Sequence, residues 1–426
     1  MRLQRELGIF GAVMMGLGAM VGTGVFVSIG IAAGIAGPAV ILAVALAAGV
    51  AICNGLSSAQ LAASHPVSGG IYEYGYQYLS PWIGFIAGWM FLIAKSASAA
   101  TAALGFSGYT LHTLRYSEAH LVPVSLAAVV IFTLIVLGGI RHSNIANIAI
   151  VSVTLLALLF FVVAGTPAIE RANFKPFFGV EPGAEFALGA LFHASALMFV
   201  AYTGYGRIAT LGEEVHDPKR TIPKAIIITM LATMALYIAV AVVGIGVLGA
   251  GGLRAATATQ AAPLAIAAQR FPFPFSSEVL SAGAITAMLG VLLNLIWGLS
   301  RVLLAMGRRR DMPAAFERLN KSGATPYWAV LIVGVAIGGL VLIGDVKTTW
   351  SFSAFTVLIY YALTNLAALK LPRERRLYPR WVADLGLVAC LFLAFWVERE
   401  TWLIGLGLIF IGLLWHGIAR RWANTA

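Results

Sequence analysis

Glycines and polar residues set inside long apolar runs are where this sequence carries its chemistry. GLGAMVGTGVF (Gly16–Phe26) places four glycines and a threonine in the middle of such a run, and FVAYTGYG (Phe199–Gly206) interrupts another. Glycine weakens a helix by roughly 0.8–1 kcal/mol relative to alanine, so both stretches predict broken helices. A break frees backbone N–H and C=O groups, which can hold charged groups where water is absent. The bland reading of the first is close helix packing, because Gly18 and Gly22 form a GxxxG pattern. Two basic residues, Lys95 in FLIAKSASAATAALG and Arg207 just after the second break, also lie within apolar runs. At membrane depth a basic residue costs about 2.5–3.5 kcal/mol on insertion scales and is a functional hypothesis by default. Snorkelling to an interface is the bland reading of Lys95, and an ion pair with Glu213 or Glu214 that of Arg207. Enzyme chemistry finds little support. The seven histidines are scattered, with only His193 well inside a run, and no zinc spacing, paired carboxylates or nucleophile elbow occurs. Cys53 and Cys390 are too far apart in the sequence to suggest a metal site or disulfide framework.

The elements that must position these residues are membrane-length helices. The chain has 426 residues, 60% hydrophobic and 11% charged, which no soluble globular protein of this size accommodates. A hydrocarbon layer of about 30 Å takes roughly 20 apolar residues per helix. Twelve such stretches are expected, near 9–34, 38–63, 82–110, 122–140, 143–165, 185–211, 224–250, 277–306, 326–344, 349–370, 381–397 and 401–419. The fold class is thus all-α integral membrane, a single transmembrane domain over 1–426. Nineteen Lys and Arg fall in loops on the N-terminal side of the membrane and seven on the other, which predicts cytoplasmic termini. The formal charge of +11 is spread between apolar runs rather than gathered on a face with aromatics, which argues against nucleic acid. The two breaks lie five spans apart. Broken helices at corresponding places in two halves point to an inverted-repeat transporter, and an odd number of spans per half makes the halves oppositely oriented.

VGTGVF (Val21–Phe26) resembles the Ile-Gly-Ser-Gly-Ile-Phe break in the first span of the amino acid–polyamine–organocation (APC) superfamily. HPVSGGIYEYGYQYLSPWIGFIAGW (His65–Trp89) is similar to that family's Pro-x-x-Gly-Gly-x-Tyr segment. AYTGYGRIATLGEEVHDPKRTIPKAI (Ala201–Ile226) resembles its sixth-span break with the following Glu-Glu-Val-x-Asn-Pro-x-Arg-x-Ile-Pro. SRVLLAMGRRRDMP (Ser300–Pro313), followed by Thr325–Pro326, is similar to its eighth-span exit. The resemblance covers spans one to ten in order. It implies a LeuT-like fold of two inverted five-helix repeats (9–165 and 185–370) with two accessory helices (381–419). It also implies amino acid transport by alternating access, with no cofactor.

On that resemblance, the substrate carboxylate falls to the freed N–H groups of Thr23, Gly24 and Val25, at the positive end of the half-helix after the first break. The ammonium falls to carbonyls of Met20, Val21, Phe199, Val200 and Ala201, with Tyr202, Thr203 and Gly204 at the second turn. The Thr23 hydroxyl adds a hydrogen bond or caps its own backbone. Phe26, Phe199, Tyr202, Tyr205 and Tyr360 are candidate gates, although an aromatic in a span is more often packing.

None of the seventeen acidic residues lies at mid-span, which points to neutral amino acids. Lys95 and Arg207 keep acidic substrates open, and aromatic faces keep cationic ones open. Some proton-coupled relatives carry a lysine in the fifth span, where this sequence has Thr154 with Ser152 nearby. Sodium-coupled relatives use hydroxyls in the eighth span, and none occurs between Thr286 and Asn294. Exchange, facilitated diffusion, or Lys95 as proton carrier or charge surrogate remain, so proton and sodium coupling stay open. Gln60, Gly206 and Arg207 depart from the residues common in relatives. A non-transporting amino acid sensor would use the same breaks. The expected partners are the amino acid and the lipid bilayer, with no obligate protein partner evident. The short tails suggest a bacterial inner membrane.

Overall fold

The computed structural model describes residues 8–65, 70–138, 144–178, 188–209, 215–319 and 325–425, and every regular element among them is helical. The first expected stretch is two helices: α1 (Ile9–Met20) and α2 (Ile29–Ala36), joined through a π-helical turn over Gly24–Ser28. Then follow α3 (Val40–Ser64), a short α4 (Ile71–Tyr78), α5 (Pro81–Leu114), α6 (Leu121–Leu137) and α7 (Asn144–Gly165). The sixth stretch is again two pieces, α8 (Leu188–Ala201) and α9 (Gly206–Ala209), around a 3₁₀ turn over Thr203–Tyr205. The remainder is α10 (Pro218–Gln260), a short α11 (Pro263–Ala268), α12 (Ser276–Arg308), α13 (Tyr327–Val341), α14 (Val346–Leu369), α15 (Arg380–Phe395) and α16 (Arg399–Thr425).

Helix occupies each of the twelve expected stretches. Among the described residues, nine helical stretches are long and apolar enough to cross a membrane by length and composition. The others are the broken first stretch, whose α1 has 12 residues, α13 with 15 and α15 with 16. The seventh stretch overruns its expected end near residue 250. Gly249 takes φ 73° and turns the chain there, and α10 continues in a new direction to Gln260.

Local signals set the ends. Ser80 caps α5 by accepting from the Ile83 N–H at 3.3 Å, with Pro81 in the first turn. Asp345 caps α14 through the Thr348 N–H at 2.7 Å. In the packed core α5 lies against α12 and α14, α3 against α10 and α8, and α1 and α2 both against α10. The first half of the chain is therefore interleaved with the second, and the two broken stretches are held within the same core.

A polar cluster joins three elements beyond the end of α12. The buried Asp311 carboxylate accepts from Tyr72 at 2.7 Å and from Tyr76, and stands 3.2 Å from His416 Nδ1 on α16. Trp415 donates to the Asp311 carbonyl at 2.9 Å. Burial and the neighbouring carboxylate push the Tyr72 and Tyr76 phenols well above their ordinary range, so they stay protonated donors.

Candidate functional site

The two breaks touch. A Cβ placed on Gly24 would stand 2.4 Å from the Ala201 Cβ and 2.7 Å from its Cα. On Gly204 it would stand 2.3 Å from the carbonyl carbon and oxygen of Ala19. Only glycine permits backbone to approach backbone this closely, which gives the glycines of both motifs a tertiary reason.

The first break opens where Val21 turns extended (φ −83°, ψ 97°) after its N–H has closed the last turn on Leu17. Val25 and Phe26 N–H groups then both reach back to the Gly22 carbonyl, at 3.1 and 3.2 Å. The Val25 N–H, expected to face substrate, thus has a partner within the break. Ser28 returns its hydroxyl to the Gly24 carbonyl, and Tyr109 on α5 donates to the Phe26 carbonyl at 2.7 Å. In the second break the Tyr202 N–H bonds the Phe199 carbonyl at 3.0 Å, and the Thr203 hydroxyl bonds that of Val200 at 2.7 Å.

Tyr237 of α10 links the two. Its hydroxyl donates to the Met20 carbonyl at 2.6 Å and lies 3.3 Å from the Ala201 carbonyl. Four carbonyls expected at the amine pole, those of Met20, Phe199, Val200 and Ala201, are therefore each oriented by one neighbour. Each retains a second lone pair. The Thr23 and Tyr202 hydroxyls are buried and meet no hydrogen-bond partner among the described residues, a rare state that calls for an explanation.

Lys95 reaches the second break from α5, its Nζ 2.8 Å from Thr203 Oγ1. Tyr361 holds the Thr203 carbonyl from α14 at 3.0 Å. Around it the rings of Phe199, Tyr205 and Tyr360 gather on that of Tyr361, with centroids 5.7, 5.2 and 4.3 Å away. Phe26 is apart from this group and meets Tyr109 edge-on at 6.0 Å. Two further candidates stand elsewhere. Thr154 is buried on α7 with its hydroxyl on the Ile150 carbonyl, and lines a cavity between α1, α7 and α12 together with Asn147 and Asn294. Arg207 lies over the Trp297 ring at 4.7 Å, while Glu213 and Glu214 fall outside the described residues.

Over residues 11–422 the sequence matches the amino acid permease family. The chain belongs to that family, within the APC superfamily. The permease is 39% identical to an uncharacterized transporter of Mycobacterium tuberculosis, across 98% of this chain and 92% of that one. It is 28% identical to the branched-chain amino acid permease BcaP of Bacillus subtilis, across 98% and 94%. It is 27% identical to a methylthioribose transporter of the same species, across 84% and 80%. These are transporters rather than enzymes, and the permease is a membrane transport protein of the same kind.

Sequence reasoning missed Tyr237, Tyr109 and Tyr361, the three phenols that brace the break carbonyls. Tyr237 is the one hydroxyl in the apolar stretch MALYIAVAVV, whereas Tyr109 and Tyr361 stand beside other polar residues. A polar atom needing a partner at depth is the signal that would have found them.

Proposed function

We propose that this permease carries α-amino acids across a bacterial inner membrane by alternating access, with neutral L-amino acids as the preferred class. Twelve crossings form two inverted repeats (9–165 and 185–370) and an accessory pair (381–419), with both termini cytoplasmic. The contact between the two breaks carries this reading: Gly24 against Ala201 and Gly204 against Ala19 bring one half-helix's start beside another's end. The carboxylate lies at Thr23, Gly24 and Val25, where the half-helix dipole favours negative charge, and the Val25 N–H is shared between the substrate and the Gly22 carbonyl it bonds at 3.1 Å. The buried Thr23 hydroxyl gains the partner it otherwise lacks. The ammonium takes the second lone pairs of the Met20, Val21, Phe199, Val200 and Ala201 carbonyls. Rocking one repeat against the other opens this site to each side in turn. The branched-chain permeases among its relatives support an apolar side chain in the substrate.

Counterflow in proteoliposomes tests the reading. Vesicles preloaded with unlabelled amino acid should accumulate labelled leucine or alanine, and Gly24→Leu or Gly204→Leu should abolish this. Folded protein that binds an amino acid without moving it would replace transport by sensing. Folded protein that does neither would overturn the proposed substrate class.

A further inference from the structure

Lys95 is held by a relay with a fixed direction. The Thr203 hydroxyl has one proton and gives it to the Val200 carbonyl at 2.7 Å, so towards Lys95 Nζ, at 2.8 Å, it acts as acceptor. Val200 and Ala201 are the last residues of α8, where carbonyls at the helix end, each with a lone pair to spare, and the helix dipole concentrate partial negative charge. The lysine ammonium thus stands at the pole that would attract a second cation. Among the described residues no carboxylate lies within 4.0 Å of it. Within the described residues its charge therefore meets no carboxylate beside the break.

We propose that Lys95 is a specificity-determining residue, a charge filter that bars amino acids with cationic side chains while admitting neutral and anionic ones. The filter rests on the transport reading above and adds the rule by which the site selects. Its size follows from Coulomb's law. Two unit charges about 6 Å apart at an effective dielectric near 20 repel enough to weaken binding roughly 100-fold. The α-ammonium common to every substrate meets the same field and cancels when two substrates are compared, so a neutral side chain adds no further term and an anionic one gains. The three ammonium hydrogens also leave Lys95 with donors beyond the one given to Thr203, which suit a side-chain carboxylate.

Norleucine and lysine form the decisive pair, because lysine is norleucine extended by one ammonium group. Competition against labelled leucine counterflow gives the ratio of their apparent affinities in wild type, Lys95→Met, Lys95→Gln and Lys95→Arg. The wild type should favour norleucine by about tenfold or more. Lys95→Arg should keep that preference, whereas Lys95→Met and Lys95→Gln should narrow it towards unity. A wild type that takes lysine as readily as norleucine overturns the filter without any variant. So does a folded Lys95→Met or Lys95→Gln that moves leucine with the wild-type ratio intact. Wild type that moves no amino acid at all removes the transport reading itself, and the filter falls with it. That outcome is distinct from transport without selectivity, which leaves the transport reading standing.

Discussion

The Tyr237 hydroxyl gives its proton to the Met20 carbonyl at 2.6 Å while standing 3.3 Å from the Ala201 carbonyl, so one side chain of α10 ties the ends of both broken half-helices. Its ring packs on Tyr202 with centroids 5.1 Å apart. Tyr237→Phe keeps the ring and removes the tie. The expected loss of stability is about 0.5–2 kcal/mol, the range for a hydrogen bond whose partner is left in an apolar interior. Slower uptake should accompany it, because the two breaks lose their common anchor. Thermal unfolding in detergent and initial uptake rates measure the two effects. No change in either would remove Tyr237 from the mechanism.

Close backbone approach makes a second expectation quantitative. Gly204→Ala would put a Cβ 2.3 Å from the Ala19 carbonyl, which has no free end to swing aside. Overpacking of this kind costs about 1–3 kcal/mol, and it should lower uptake at least tenfold by parting the breaks. Gly298→Ala on α12 is the matched control. Nothing lies within 4 Å of its added Cβ, and the helix should gain about 0.5–1 kcal/mol. Equal effects at the two positions would show that helix propensity, not the contact between breaks, governs Gly204.

Much of this architecture was legible because membrane helices satisfy their own backbone. Apolar length alone located helix at all twelve stretches, and glycine at depth marked both breaks. What stayed hidden depends on partners distant in sequence. Nothing in FLIAKSASAATAALG reveals that Lys95 meets Thr203, nor does MALYIAVAVV reveal that Tyr237 faces Met20. The short α4 and α11 lay in what read as connections. Asp311 looked like one charge in the basic stretch RRRDMPAAFERLNK, yet it is buried and holds three elements together. Nothing in TGYGRIATLG shows that Arg207 lies over the Trp297 ring, and its expected ion pair with Glu213 or Glu214 falls outside the described residues.

Asp311 should be a stability residue rather than a transport residue. Asp311→Ala strands the Tyr72 hydroxyl and leaves His416 Nδ1 without its carboxylate, so α4 and α16 lose their shared anchor. Losing the acceptor of a buried network costs about 3 kcal/mol or more. Asp311→Asn keeps an acceptor oxygen for Tyr72 and should lose roughly half as much. Thermal unfolding of the pair checks the order. Equal loss from both would assign the effect to the charge instead of the hydrogen bonds.

Thr203 offers the most direct test of how the second break is held, because its side chain and carbonyl serve three neighbours. Its hydroxyl accepts from Lys95 and donates to the Val200 carbonyl, and its own carbonyl accepts from Tyr361 at 3.0 Å. Thr203→Ala removes the first two while the third survives. A half-buried ammonium then loses this acceptor, a penalty of about 1.5–3 kcal/mol for a charged hydrogen bond. Thr203→Ser restores the hydroxyl without the methyl and should recover most of the stability and uptake. If the turn matters only as packing, the methyl is what counts and Ser should behave like Ala. If the relay matters, Ser should follow wild type, and Thr203→Val, isosteric but without the hydroxyl, should fail with Ala. Uptake rates and unfolding temperatures of the three variants separate these outcomes.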